Sequence, residues 1–248
     1  MRGYRRVKAI GAIGLLTILL SPPSFAADEV GVATGYPPYQ FDIAGEITGF
    51  DVAVARAVFD RMNEPLDLQQ YDWDDVVGLL RFGEIDIAAG MEITQERLPY
   101  FAFSQPYYAR ETVIFVRDEA SAAETVADLT GKKITGDRQS ELENQLKALG
   151  IYSSMRVMHT ASKQEAMSRL LAGEVEAVIM PLQVGKYLAQ QQHGKVRVLW
   201  RPHDKTEVAF AVRRGNQQRL QGINQALATL EADGTLEKLR DEWFKQAD

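Results

Sequence analysis

The sequence predicts an α/β protein folded into two lobes with a cleft between them. Three observations carry this. Short β-type runs alternate with helical runs, the alternation starts again near the middle of the chain, and no long Pro/Gly/Ser linker separates the two halves. Two α/β units joined by short crossings leave a cleft, a favoured place for a ligand.

The elements follow in order. Val30–Thr34 reads as a first strand. Over Asp51–Met62 the apolar positions Val52, Val54, Ala55, Val58 and Phe59 gather on one helical face. Leu66–Tyr71 is a second strand, and Asp74–Phe82 a short helix with acids at its start and Gly83 at its end. Ile85–Ala89 and Glu111–Arg117 are further strands. The pattern then restarts with a turn and strand over Ala127–Thr135, a helix over Ser140–Leu149, a strand over Arg156–His159 and a helix over Lys163–Ala172. Val175–Met180 is a buried strand and Leu182–Gln191 a helix; Val208–Arg213 and helices over Gln217–Asp233 and Thr235–Lys245 complete the chain.

The first 26 residues differ from the rest. Arg2, Arg5, Arg6 and Lys8 precede the apolar run Ile10–Leu20, and small residues stand at Ser24 and Ala26. The run is shorter than the about 20 residues a membrane span needs, so it reads as a cleaved secretory signal, with export to the periplasm. Without it the chain carries 24 Lys+Arg against 34 Asp+Glu, a net charge of −10. That disfavours nucleic acid and anionic membranes as partners. There is no cysteine, which removes thiolate chemistry and disulfides, and none of the three histidines has metal-ligand spacing. No cofactor and no metal are expected.

Ordered blocks then become recognisable. Tyr36-Pro37-Pro38-Tyr39-Gln40-Phe41 is followed by Gly49-Phe50-Asp51, by Trp73-Asp74 and by Gly83-Glu84-Ile85-Asp86. Gly90-Met91-Glu92-Ile93-Thr94 with Arg97, and Phe103-Ser104-Gln105-Pro106-Tyr107-Tyr108, come next. Leu129-Thr130-Gly131-Lys132-Lys133, Ala232-Asp233-Gly234-Thr235 and Trp243-Phe244 end the series. From about Val30 to Phe244 these blocks resemble the family 3 extracellular solute-binding proteins, the polar amino-acid receptors of ABC importers. The resemblance implies the two-lobed periplasmic binding protein fold of type II, each lobe a mixed sheet flanked by helices. It places a signal over 1–26, a first lobe over 27–117 and 205–248, and a second over 118–204, with crossings near Val116–Asp118 and Pro202–Lys205. It implies a monomer that takes a small polar solute and delivers it to a permease of the inner membrane.

The resemblance also implies a site. Tyr36 and Trp73 are rigid aromatics suited to sandwich a ligand. Arg97 offers a planar fork to a carboxylate, after a loop that begins at Gly90. The neighbours depart from the family. Glu92 replaces a small hydroxyl residue, Gln139-Ser140-Glu141 replaces a Gly-[Ser/Thr]-Thr turn in which Ser140 keeps one hydroxyl, and Pro181 stands where an Asp pairs with the ligand's ammonium. Two readings of Glu92 stay open. It pairs with Arg97 and neutralises it, or it points away and leaves Arg97 to a carboxylate. Both disfavour an ordinary α-amino acid. Alternative functions are a sensing protein that signals to a membrane receptor, and an enzyme similar to cyclohexadienyl dehydratase with Glu92 as general acid.

N-terminal sequencing of the exported protein is expected to begin at Ala27; a membrane-bound product that retains Leu15–Leu20 would contradict the leader reading.

Overall fold

Two sheets, each covered by helices, organise the computed structural model, which describes residues 27–136 and 141–244. The expected leader and Ser140 lie outside the described residues. In chain order the elements are β1 (Asp28–Ala33), β2 (Phe41–Ile43), β3 (Glu46–Thr48), α1 (Phe50–Met62), β4 (Leu66–Tyr71), α2 (Trp73–Phe82), β5 (Ile87–Glu92), β6 (Phe101–Phe103), β7 (Tyr108–Arg110) and β8 (Thr112–Arg117). They continue with β9 (Lys133–Gly136), α3 (Glu141–Ala148), β10 (Arg156–Met158), α4 (Lys163–Leu171), β11 (Ala177–Pro181), α5 (Leu182–Gln191), β12 (Val196–Trp200), β13 (Thr206–Arg213), α6 (Arg219–Ala232) and α7 (Thr235–Phe244).

The first sheet runs β4-β1-β5-β13-β6, with β7 also paired to β13. Its strands β4, β1 and β5 are parallel, and β13 returns antiparallel to β5. The second sheet runs β10-β9-β11-β8-β12, with β10, β9 and β11 parallel and β8 antiparallel to both of its neighbours. Parallel strands need helical crossovers, which is why α1 and α2 follow β1 and β4, and α3 and α4 follow β9 and β10. Helix α1 turns Phe50, Val54, Ala55, Val58 and Phe59 inward, where they join Phe210, Ile223, Leu227 and Leu230 in the same apolar cluster. In the second lobe Phe115 and Val178 join that cluster with Met167, Leu170, Val184 and Leu188 of α4 and α5, while Ile114, Val116, Ile134 and Ile179 pack with Leu146 of α3. Gly83 closes α2 with φ 78°, a left-handed position that favours glycine.

Three expectations change. Strand β8 pairs with β11 and β12, so Thr112–Arg117 belongs to the second sheet and the first crossing falls at Glu111 instead of Val116–Asp118. The chain passes from β12 in the second sheet to β13 in the first between Trp200 and Thr206. Strand β5 begins later and runs longer than expected, so Gly90 and Glu92 stand in a strand and not in a loop. Strand β12 is absent from the sequence reading because every one of its positions is half-buried, which leaves no alternation to see.

Helix α5 lies so close to β8 that a Cβ on Gly185 would sit 2.1 Å from Cε2 of the buried Phe115 ring. Gly185→Val is expected to lower stability in urea denaturation by about 2 kcal/mol, because overpacking outweighs a helix-propensity gain of about half a kcal/mol. An unchanged midpoint would contradict the tight contact.

Candidate functional site

A cleft of about 480 Å³ opens where the parallel strands of both sheets end. Ligands of open α/β sheets bind outside the carboxyl ends of the strands, and the lining follows that rule. Thr34, Gly35 and Tyr36 follow β1, Asp72 and Trp73 follow β4, Glu92 ends β5, and Arg97 lies in the loop after it. From the second lobe come Gly136 at the end of β9, His159 to Lys163 after β10, and Ile179 and Met180 of β11.

The floor is built around one buried cation that the sequence reading misses. Arg110, at the end of β7, is only 5% exposed. Its guanidinium lies 3.7 Å from Asp51 and 3.4 Å from Glu92. It donates to the Gly90 carbonyl at 3.4 Å and to the Tyr108 hydroxyl. The rings of Tyr36 and Tyr39 face it at 5.0 and 4.7 Å, within cation–π range. Burial works against its charge, but Tyr108, Tyr36, Glu92 and Asp51 together hold the guanidinium well above its ordinary value.

Asp51, the second residue of α1, is fully buried. It accepts from Gln40 at 2.7 Å and from the Tyr107 hydroxyl at 2.8 Å. Burial pushes its carboxyl above the usual carboxylate range, and Arg110, Gln40 and the two tyrosines pull it back only in part. Gln40 also donates to the Ala89 carbonyl at 3.1 Å and accepts from the Ala33 amide, so it joins β1, β5 and α1. Gly90 adopts φ 74°, and a Cβ there would fall 2.0 Å from the Gln40 amide nitrogen. Its place in the site is thus as bare backbone against this network.

Of the residues named from sequence, Tyr36, Trp73, Gly90, Glu92 and Arg97 all line the cleft. Glu92 turns its carboxylate to Arg110, and among the described residues the one hydrogen bond of Arg97 goes to the Glu92 carbonyl, at 2.9 Å. The pairing that would neutralise Arg97 is therefore not formed. Arg97 is pushed below the ordinary arginine value by burial, with Glu92 opposing and Arg110 adding to the shift. Its guanidinium sits 5.5 Å from the Trp73 ring. Lys163 of the second lobe reaches across to the Tyr36 ring at 4.8 Å. The two aromatics thus carry the protein's own cations. Lys163 is held as the first residue of α4, where Ser162 accepts from the Glu165 amide and Glu165 from the Ala161 amide, a reciprocal cap.

Pro181 is buried and does not line the cleft, whose wall there is Ile179 and Met180. It pairs with Thr112 at the last register of β11 and starts α5, beside the crossing at Glu111. Ser140 lies outside the described residues. Arg110, Asp51, Gln40 and Lys163 are the residues sequence reasoning missed. The available signal was an arginine beside Tyr107-Tyr108, but nothing local tells that Asp51 would be buried beneath it.

Removing Arg110 strands Asp51 and Glu92 without their cation. Arg110→Met is expected to cost about 3–5 kcal/mol in urea denaturation at neutral pH, the usual penalty for breaking a buried pair from one side. The stranded Asp51 carboxyl would have a folded-state pKa above its unfolded value, so the folded state binds more protons and the deficit should shrink as pH falls. A loss below 1 kcal/mol would contradict the network's role.

The family model for bacterial extracellular solute-binding proteins, family 3, matches residues 29–246. The chain is 29% identical over 243 residues to ABC transporter arginine-binding protein 1 of Escherichia coli K12, covering 94% of this chain and 98% of that one. Among solved structures it is similar to an ancestral arginine-binding protein bound to arginine, at a TM-score of 0.79 and 30% identity, covering 88% of this chain and 98% of that one. It is also similar to an ancestral amino acid-binding protein described as a precursor of cyclohexadienyl dehydratase, at a TM-score of 0.78 and 26% identity, covering 88% and 95%. The match spans nearly all of the described chain, both sheets and the cleft between them, and the protein belongs to the bacterial extracellular solute-binding proteins, family 3.

Proposed function

We propose that this protein is the exported solute receptor of an ABC importer, and that it takes a small polar solute by a carboxylate on Arg97. The observation that carries the reading is the state of Arg97. It lines the cleft, is drawn down by burial, and among the described residues forms no ion pair. A partly desolvated guanidinium with donors to spare suits bidentate binding of a carboxylate. The likeness to an arginine-binding protein of an ABC transporter supports the import role. Export is supported by the order of the first 26 residues, and among the described residues no helix is long and apolar enough to cross a membrane.

Binding is favoured over catalysis. Glu92, the candidate acid, is already paired with Arg110. Closure would pivot at Glu111 and at Arg201–Lys205, where Glu111 and Arg201 form an ion pair at 2.8 Å. Solute contacts from both lobes would shift the population toward the closed form.

The test begins with mass spectrometry of small molecules released by denaturing protein purified from its native host, followed by calorimetry with the compound found. Arg97→Ala is expected to weaken binding by about 2–5 kcal/mol, or at least thirtyfold, and small-angle scattering should show compaction on saturation. Equal affinity in the variant would overturn the role of Arg97. An unchanged radius at saturation would overturn the hinge.

A further inference from the structure

We propose that Arg110 is a positioning residue for solute binding: by holding the Glu92 carboxylate, it keeps an internal carboxylate off the Arg97 fork and leaves that fork to the solute. This rests on the reading above, in which Arg97 takes a solute carboxylate.

The competitor stands close by. Glu92 ends β5, and Arg97 lies in the loop that follows. The backbone already brings the two together, since Arg97 donates to the Glu92 carbonyl at 2.9 Å. Both residues line the cleft. A carboxylate tethered this near is present at an effective concentration in roughly the millimolar range or above. It offers Arg97 the same bidentate contact that a solute carboxylate would. Left without another partner, Glu92 would therefore fill the site itself.

A second guanidinium draws it away. Arg110 lies 3.4 Å from Glu92 Oε1 and is held from its other side by Asp51 at 3.7 Å, the Gly90 carbonyl and the Tyr108 hydroxyl. The rings of Tyr36 and Tyr39 face it as well. Attraction between opposite charges grows where water is excluded. Arg110 is buried, whereas Arg97 is half-buried at the cleft wall, so the deeper cation is the stronger partner for Glu92. The effect on affinity follows from populations. If Glu92 sat on Arg97 about nine-tenths of the time, a competent site would exist in about one molecule in ten, and the solute would bind about tenfold more weakly.

The probe is phenylglyoxal, which modifies guanidinium groups not engaged by a carboxylate. Peptide mass spectrometry reads the labelling rate of Arg97 in the mature chain, freed of retained small molecules by unfolding and refolding. Arg110→Met is expected to slow Arg97 labelling at least fivefold, because Glu92 moves onto the fork. Adding Glu92→Gln to Arg110→Met should return the rate to within about twofold of wild type. A merely structural role for Arg110 predicts the opposite sign, since a loosened floor exposes Arg97 and speeds its labelling. A thermal melt checks each variant. If Arg110→Met does not fold, Arg110→Met with Asp51→Asn replaces it, because a neutral side chain of the same shape then stands in place of the stranded carboxylate. Calorimetry with the compound released from the native-host protein should follow the same pattern, at least tenfold weaker in Arg110→Met and recovered with Glu92→Gln. Labelling of Arg97 as fast as wild type or faster in Arg110→Met, or no recovery with Glu92→Gln, would overturn the proposal. If that happens while Arg97→Ala loses the compound, the reading of Arg97 stands and only the role of Arg110 fails. If the labelling pattern holds while Arg97→Ala binds the compound as tightly as wild type, the carboxylate reading of Arg97 fails and takes the proposed link to binding with it.

Discussion

The buried guanidinium of Arg110 is the constraint around which the first lobe's half of the cleft is arranged. A buried cation needs partners, and those of Arg110 come from separate parts of the chain, though its Nε has none among the described residues. Asp51 comes from α1, Glu92 and the Gly90 carbonyl from β5, Tyr108 from β7, and the Tyr36 and Tyr39 rings from the turn after β1. Replacing such a set by apolar groups is often neutral for stability, whereas breaking it from one side is costly. Its consequence here is positional. It takes the Glu92 carboxylate, and so leaves the neighbouring Arg97 fork facing the cleft.

The second lobe meets this floor with lighter means. Its wall is apolar at Ile179 and Met180, and its charge arrives on Lys163 at the start of α4. At the crossings a partly exposed ion pair joins Glu111 and Arg201. Such pairs contribute about 0–1 kcal/mol, too little to lock a hinge. The lobes also share apolar packing, with Phe41 of the first lobe 5.7 Å from Tyr187 of α5 in the second. The Lys163–Tyr36 contact spans the gap that a solute would fill.

Much of the fold was legible in the sequence. Glycines at helix ends, apolar faces at helical spacing and short buried runs placed most helices and the central strands, since each is a local signal. Tyr36, Trp73 and Arg97 were legible as site residues only through their place in ordered blocks, and the cleft does bring them together. What was not legible depends on non-local pairing. Whether Thr112–Arg117 joins the first or the second sheet is decided by β11 and β12, far along the chain. The partner of Glu92 is decided by the pairing of β7 and β5 to β13, which brings Arg110 alongside it. Pro181 was named because the resemblance places a ligand-pairing Asp there; the structure buries it at the end of β11 and does not place it in the cleft lining.

A crystal structure of the protein purified from its native host with its solute retained tests the central claim most directly. The account predicts density between the lobes with a carboxylate on the Arg97 guanidinium and the Glu92 carboxylate still on Arg110. A solute bound elsewhere, or a Glu92 side chain swung onto Arg97 with the solute held by other groups, would contradict it.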